Sequence, residues 1–299
     1  MKTMYTRLKR KERAMAYLSV IPIILIILAI RGYPMFIAIS QSFTNWDGMF
    51  KNTFIGLANY RNIVASGEFF TMLRNSAALL LFLPFQLFFG YAVALLLYEE
   101  VFGWRFFRAL YYLPQMLSQV IVGFLFMIFF GSNGPLNQLL RAIGLDFMAL
   151  NWMSKTPTAL GVIILCLVWA NIGWQGILVL GGLSAAPPSI FEAARIDGAN
   201  YWQRLFMVVL PQLNRVTEYS CIMSVMWVFT GMFPIIHSMT RGGPGYETTT
   251  IDYMIYMKAF ITGSQLGAAC AVAVILMLIV LGLTVIQMAI ANRIDDGGE

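Results

Sequence analysis

Groups that do chemistry are scarce in this sequence. It has one histidine and three cysteines, and only 11% of its residues are charged, where a soluble domain carries roughly 25%. The histidine, His237, ends an apolar stretch, and packing explains it better than catalysis. Cys166, Cys221 and Cys270 each lie inside an apolar stretch. They are odd in number and lack metal-ligand spacing, so they read as small core residues. No HExxH, CxxC or GxSxG motif occurs. No GxxxxGK(S/T) occurs either, so the chain has no P-loop for ATP. Ion-driven pumping is poorly supplied as well, because it usually needs acidic groups within the spans. Glu99 and Glu100 close one apolar segment and Glu218 sits at the edge of another. Enzymes and ion-coupled carriers are therefore disfavoured from the outset.

What the chain has is apolar surface. Of its 299 residues, 59% are hydrophobic, which marks a membrane protein, and the lengths of its apolar segments make it all-α. Segments 15–38, 75–98, 109–130, 158–183, 217–239 and 266–291 are each long enough, at about 20 residues, to cross a bilayer as a helix. Arg31 interrupts the first, at a cost unless it reaches an interface or a polar interior. No small-x-small cleavage site follows that segment, so it is expected to be retained. The net charge of +6 does not point to nucleic acid. Lys2, Arg7, Lys9, Arg10, Lys11 and Arg13 crowd the N-terminus before the first span, which is a topology signal. With that end inside, Arg105, Arg108, Arg195, Arg204, Arg215 and Arg293 are also inside. Lys51, Arg61, Arg141, Lys155, Arg241 and Lys258 are outside. The balance favours six spans with N- and C-termini cytoplasmic. Residues 1–299 then form a single transmembrane domain, and the polar interval 189–213 lies on the cytoplasmic side.

That interval carries the most specific wording in the chain. Ser189 with Glu192 has the spacing of a capping box that would start a helix. Gly198 permits a sharp turn. Asn200 with Gln203 can cap a second helix, which Leu210-Pro211 would end or kink. Glu192-Ala193-Ala194, Asp197-Gly198-Ala199 and Leu210-Pro211 together resemble the EAA loop of permease subunits of binding-protein-dependent ABC importers. One departure is Asn214-Arg215, where that family often has a further proline. Further likenesses to sugar-type permeases of the maltose-permease kind lie in Tyr33-Pro34 and in the SFTNWDG and FIGLANY stretches within 42–60. Another is Thr240 followed by Gly242-Gly243-Pro244 and Thr248-Thr249-Thr250.

The resemblance implies a type I ABC importer permease core in a prokaryotic cytoplasmic (inner) membrane. It implies that Glu192, Ala193, Ala194, Asp197, Gly198, Leu210 and Pro211 dock into an ATPase subunit, with Glu192 the docking charge and Gly198 the bend. The implied partners are a second homologous permease, two copies of the ATPase, and an extracytoplasmic solute-binding protein. ATP and Mg would sit on the ATPase, and no cofactor on this chain. Asn171, Trp174 and Gln175 share a helical face with Leu178 by their spacing, and Ser224, Trp227 and Gly231 share one with Val228. Amides can bond sugar hydroxyls, aromatic faces can pack on sugar C–H surfaces, and Gly231 would leave room for a ligand. In maltose-type permeases the sugar sits between the helices flanking the EAA loop, where these residues fall. Packing alone could also explain each of them. Gly123, Gly173, Gly176, Gly181 and Gly182 read as sites of close helix packing or bending. The expected cargo is a carbohydrate, with glycerol phosphate or another polar solute as the alternative. A stand-alone secondary transporter or channel and a membrane-embedded enzyme are the other classes.

Overall fold

The structure, a computed structural model, describes residues 15 and 17–296, with side chains up to residue 290. The basic cluster within 2–13 and the side chain of Arg293, both used above to orient the chain, lie outside the described residues. The chain divides into two compact units, Met1–Ile63 with Met257–Ile275, and Val64–Tyr256 with Leu276–Glu299.

In the first unit, helix α1 (Tyr17–Gln41) exposes its apolar side chains along its length. A π-helical turn, Leu28–Gly32, carries Arg31. The following loop folds back on itself. Thr44 and Phe54 form an isolated antiparallel bridge, and Asn59 Nδ2 donates to the carbonyls of Ser42 and Thr44 at 2.9 and 2.8 Å. The two motif stretches within 42–60 are thus one folded piece, and Gly267 N–H closes on its Trp46 carbonyl at 2.8 Å.

The second unit holds the remaining helices that concern function. Helix α2 (Glu68–Leu79) starts after Gly67 and runs, past a break at Leu80-Leu81, into α3 (Phe82–Tyr98). This apolar rod begins well before the expected residue 75. Segment 109–130 is not one continuous helix. It is two helices, α4 (Trp104–Met116) and α5 (Gln119–Phe129), bent by 100°. Pro114 lacks the N–H that would bond the preceding turn. Leu117 and Ser118 then leave the helical region, with ψ 147 and 137. Helix α6 (Thr156–Ala185) runs unbroken for 30 residues. The fifth segment is bent too. Helices α7 (Asn214–Thr230) and α8 (Phe233–Met239) meet at 53° around Gly231-Met232. Helix α9 (Leu266–Asp296) belongs to the first unit up to Ile275 and to the second from Leu276. Among the described residues, four helices are thus long and apolar enough to cross a membrane, or six spans if each bent pair counts as one.

Glycine decides where helices touch. A side chain on Gly173 would run into the Tyr111 carbonyl, one on Gly123 into Ser238, and one on Gly90 into Gln175. Gly182 abuts Leu213, whereas Gly181 faces open space and packs against nothing. Cys166 is fully buried, and His237 lies in a ring cluster with Phe233, Tyr253 and Tyr256. Both behave as packing groups.

Candidate functional site: a two-armed knob and a cavity between broken helices

The interval 189–213 forms a two-armed knob. Its first arm is the helix Pro188–Ile196. Ser189 does not cap it, contrary to the spacing argument. Pro187 is the capping residue and Pro188 takes the first helical position, where its fixed φ and missing N–H cost nothing. Ser189 is therefore already inside the helix and cannot adopt the extended backbone a cap needs. The arm ends as its sequence implies. Gly198 has φ +74, its N–H bonds the Arg195 carbonyl at 3.1 Å, and the Ala199 N–H bonds the Ala194 carbonyl at 3.0 Å. These two bonds are a Schellman closure. Asn200 then opens the second arm with a reciprocal capping box, Oδ1 to the Gln203 N–H at 2.9 Å and Gln203 Oε1 to the Asn200 N–H at 2.8 Å. The helix widens into a π turn, Arg204–Val209, and continues as Leu210–Gln212. Pro211 is accommodated in that last turn, and the break comes at Leu213, with φ −109.

The knob has its own core. Phe191, Leu205, Val209 and Leu213 pack with Tyr91 and Leu95 of α3 and with Val179 and Leu183 of α6. Each such burial is worth about 1.5–3 kcal/mol, enough to hold the arms at a fixed angle. Ala194 faces this core, while Glu192, Ala193, Asp197, Gly198 and Pro211 are exposed and Leu210 is half-buried. Ile196, 86% exposed at the tip of the first arm, is an apolar contact group that spacing did not single out. Tyr201 tethers the second arm, its hydroxyl donating to the Ala92 carbonyl at 2.6 Å. Burial, with Glu99 nearby, pushes that phenol up to about 12, so it remains a donor at neutral pH.

A cavity of about 480 Å³ opens where α4 turns into α5. Its walls are the extended Leu117-Ser118 link, α6 and α7. Asn171, Trp174, Ser224 and Trp227 line it, as do Gln115, Ser118 and Gln119 from the broken helix. No Asp, Glu, Lys or Arg is among the lining residues. Irregular backbone amid apolar helices is tolerated where it borders a polar space, and the break supplies such a space. Hydropathy periodicity missed Gln115, Ser118 and Gln119 because a two-residue break leaves no periodic trace.

Two residues expected here lie elsewhere. Gln175 does not line the cavity; it is fully buried and its Oε1 accepts from Gln86 Nε2 at 3.3 Å. Helical residues turn by about 100° each, so Trp174 and Gln175 diverge although both are neighbours of Asn171. Gly231 ends α7 at the bend, and a side chain there would strike the Trp227 indole. It makes room for Trp227, a residue of its own chain. A further residue the sequence did not advertise is Asp252, which reaches back to α8. Its Oδ2 accepts from the Phe233 N–H at 2.7 Å, and its Oδ1 accepts from Thr250 and the Tyr253 N–H. Burial raises its pKa against these bonds. The glycine-rich motif nearby is tied in by Asn75, whose Nδ2 donates to the carbonyls of Tyr246 and Thr249 at 2.9 and 3.0 Å. No group of three or more metal-binding side chains occurs among the described residues.

Residues 86–296 match the family model described as binding-protein-dependent transport system inner membrane component. A probable ABC transporter permease protein of Pyrococcus horikoshii is 37% identical over 80% of this chain and 83% of its own. The multiple sugar-binding transport system permease protein MsmF of Streptococcus mutans is 32% identical over 88% of this chain and 90% of its own. The sn-glycerol-3-phosphate transport system permease protein UgpA of Pectobacterium atrosepticum is 31% identical over 93% and 94%. Among solved structures, a chain of a bacterial alginate ABC transporter, in complex with an alginate pentasaccharide-bound periplasmic protein, shares the fold. Its TM-score is 0.80 at 22% identity, covering 95% of this chain and 96% of that one. The matched stretch takes in the bent helices, the knob and the cavity walls formed by α5, α6 and α7, so the features built up above fall within what is shared. The chain belongs to the family of binding-protein-dependent transport system inner membrane components, as a multi-pass permease subunit of an ABC transporter and not an enzyme.

Proposed function

We propose that this chain forms half of the translocation path for an uncharged carbohydrate, an oligosaccharide, in an importer driven by ATP. The carrying observation is the cavity lining. It combines two indoles with carboxamides and hydroxyls and holds no charged side chain. Indole faces suit the C–H surfaces of a sugar ring, and amides and hydroxyls suit its hydroxyl groups. A phosphate or a uronate would be left without a countercharge in such a space, and an unpaired charge in a poorly solvated site is strongly disfavoured. The lining therefore argues for sugar against glycerol phosphate, although relatives named for both exist. Arg31 is not among the lining residues.

The remaining parts follow from the family. A second homologous permease supplies the other half of the path. Two ATPase subunits, which hold ATP and Mg, dock on the knobs, with Glu192 and Asp197 presented on the exposed surface. An extracytoplasmic binding protein delivers the solute at the opposite face. The distribution of lysines and arginines, led by the N-terminal cluster, supports a cytoplasmic knob. ATP closes the ATPase dimer, the knobs follow, and the cavity changes the side on which it opens; hydrolysis returns it. The solute biases this equilibrium only through its different affinity for the two states.

The test is uptake by the assembled importer in proteoliposomes, with its binding protein, of neutral oligosaccharides, glycerol phosphate and uronate oligosaccharides. ATP-dependent uptake confined to the neutral set is the expected result. Uptake of an anionic solute at comparable rates would refute the neutral-sugar reading.

A further inference from the structure

Helix α3 joins the two regions described above. Near the cavity, Gln86 donates to Gln175 at 3.3 Å and accepts from the Ser224 hydroxyl at 3.4 Å. Ser224 itself lines the cavity. Phe82 packs edge-on against Trp227, ring centres 6.2 Å apart. Toward the knob, the Tyr91 hydroxyl meets Thr217 Oγ1 at 2.5 Å, the Ala92 carbonyl holds Tyr201, and Tyr98 packs on Phe191. Phe88 stacks on Trp202, with 8° between the ring planes. Thirteen residue-to-residue rises, from Gln86 to Glu99, span about 20 Å.

The contact at Glu99 is the least expected. Glu99 caps the C-terminal end of α3, where the helix dipole disfavours a negative charge. Its carboxylate is offset by both arms of the knob. Arg204 of the second arm lies 3.0 Å away and Arg195 of the first arm 3.9 Å away. The Glu99 and Arg204 side chains are only 15% and 17% exposed. A largely buried pair of this kind adds little net stability, but losing one partner strands the other charge. Such an arrangement suits holding a geometry better than strengthening a fold.

We infer that Glu99, clasped by Arg204 and approached by Arg195, is a positioning residue that fastens the knob to α3, so that a displacement of the knob is carried along α3 to Gln86, Ser224 and Trp227 at the cavity. This rests on the ATP-driven reading above. Helices α6 and α7 adjoin the knob through the chain itself, at the non-helical joints Ala186 and Leu213. The clasp adds a side-chain tie from the knob to α3, which the chain does not join to it directly.

The experiment uses the whole importer in proteoliposomes with its binding protein, and reads ATP hydrolysed per solute imported. Glu99→Gln and Arg204→Gln should each assemble and hydrolyse ATP in the absence of binding protein at the wild-type rate. Each should lose roughly tenfold in uptake per ATP, a size typical of coupling between sites. Arg204→Lys, which keeps the charge, should recover most of it. The double variant Glu99→Gln/Arg204→Gln should be no worse than either single one, since both remove one interaction. Unchanged uptake per ATP in the single variants, or losses that add in the double, would overturn the clasp. Loss of assembly in both single variants, not repaired in Arg204→Lys, would make the pair merely structural and would also overturn it. Absence of ATP-driven uptake by the wild-type importer would instead count against the functional reading on which the inference rests.

Discussion

Helix α6 and the two bent pairs treat the same difficulty in opposite ways. Helix α6 contains Gly161, Gly173, Gly176, Gly181 and Gly182, yet it runs unbroken for 30 residues. The pairs α4–α5 and α7–α8 break, by 100° and 53°. Glycine lowers helix propensity by about 1 kcal/mol per residue, but α6 regains this where its glycines admit a neighbour's backbone, as Gly173 does for Tyr111. The broken pairs carry proline at the turn, Pro114 and Pro234, and their freed backbone has other uses. One break borders the cavity. The other is capped by Asp252. Glycine in a packed helix thus lets a neighbour approach closely along an unbroken wall, and proline beside a polar space builds a shaped one.

The largest test of this contrast is to wedge the unbroken wall. Gly90→Leu on α3 would force its side chain into Gln175, and overpacking of this kind costs about 3 kcal/mol. A thermal melt of the purified complex should show a marked loss of stability. A melt unchanged from wild type would mean that the wall is soft and that its glycines are incidental.

A smaller effect is expected on the shaped side. Trp227→Ala should weaken solute uptake roughly tenfold, the size of one lost apolar contact in a binding pocket, while leaving co-purification of the ATPase intact. Unchanged uptake with an unchanged dependence on solute would remove Trp227 from the path and leave the bend a packing feature.

The smallest effect concerns the cap on the second bend. Asp252→Ala should cost about 1 kcal/mol through the lost cap. Asp252→Asn should keep a side-chain acceptor for Phe233 and behave close to wild type. The sign of the pH effect follows from burial. The carboxyl's pKa lies above its ordinary value of about 3.9, so the folded chain holds the proton more tightly than the unfolded one. That contribution is complete below the ordinary value and is lost as pH rises through the raised one. Melts should therefore shift downward across that window in the wild type and less so in Asp252→Asn. An equal shift in both would place the titration elsewhere.

These particulars also show what local chemistry can and cannot encode. The turn of the knob was legible because Gly198, Asn200 and Gln203 act within a few residues of one another. Ser189 misled because Pro188 competes for the same end of the helix and wins. Asn171, Trp174, Ser224 and Trp227 were legible from helical spacing, although their role in transport is proposed. Gln175 and Gly231 were not separable from them, since the two sides of a helical face diverge only once a partner helix is chosen. The breaks at Leu117-Ser118 and Gly231 were invisible to hydropathy, which averages over a whole window. Glu99 was visible only as the end of a span. Its partners lie about a hundred residues further along the chain, and no local pattern announces them.

The uncharged cavity has an electrical consequence. Each elementary charge moved across a membrane exchanges about 2.3 kcal/mol with a potential of 100 mV. A neutral solute in a neutral lining exchanges none, so its passage neither draws on the cell's voltage nor works against it. The importer would then run as well in a depolarised cell as in an energised one, with ATP supply alone setting its pace. Uptake into proteoliposomes clamped at different potassium diffusion potentials should trace a flat line.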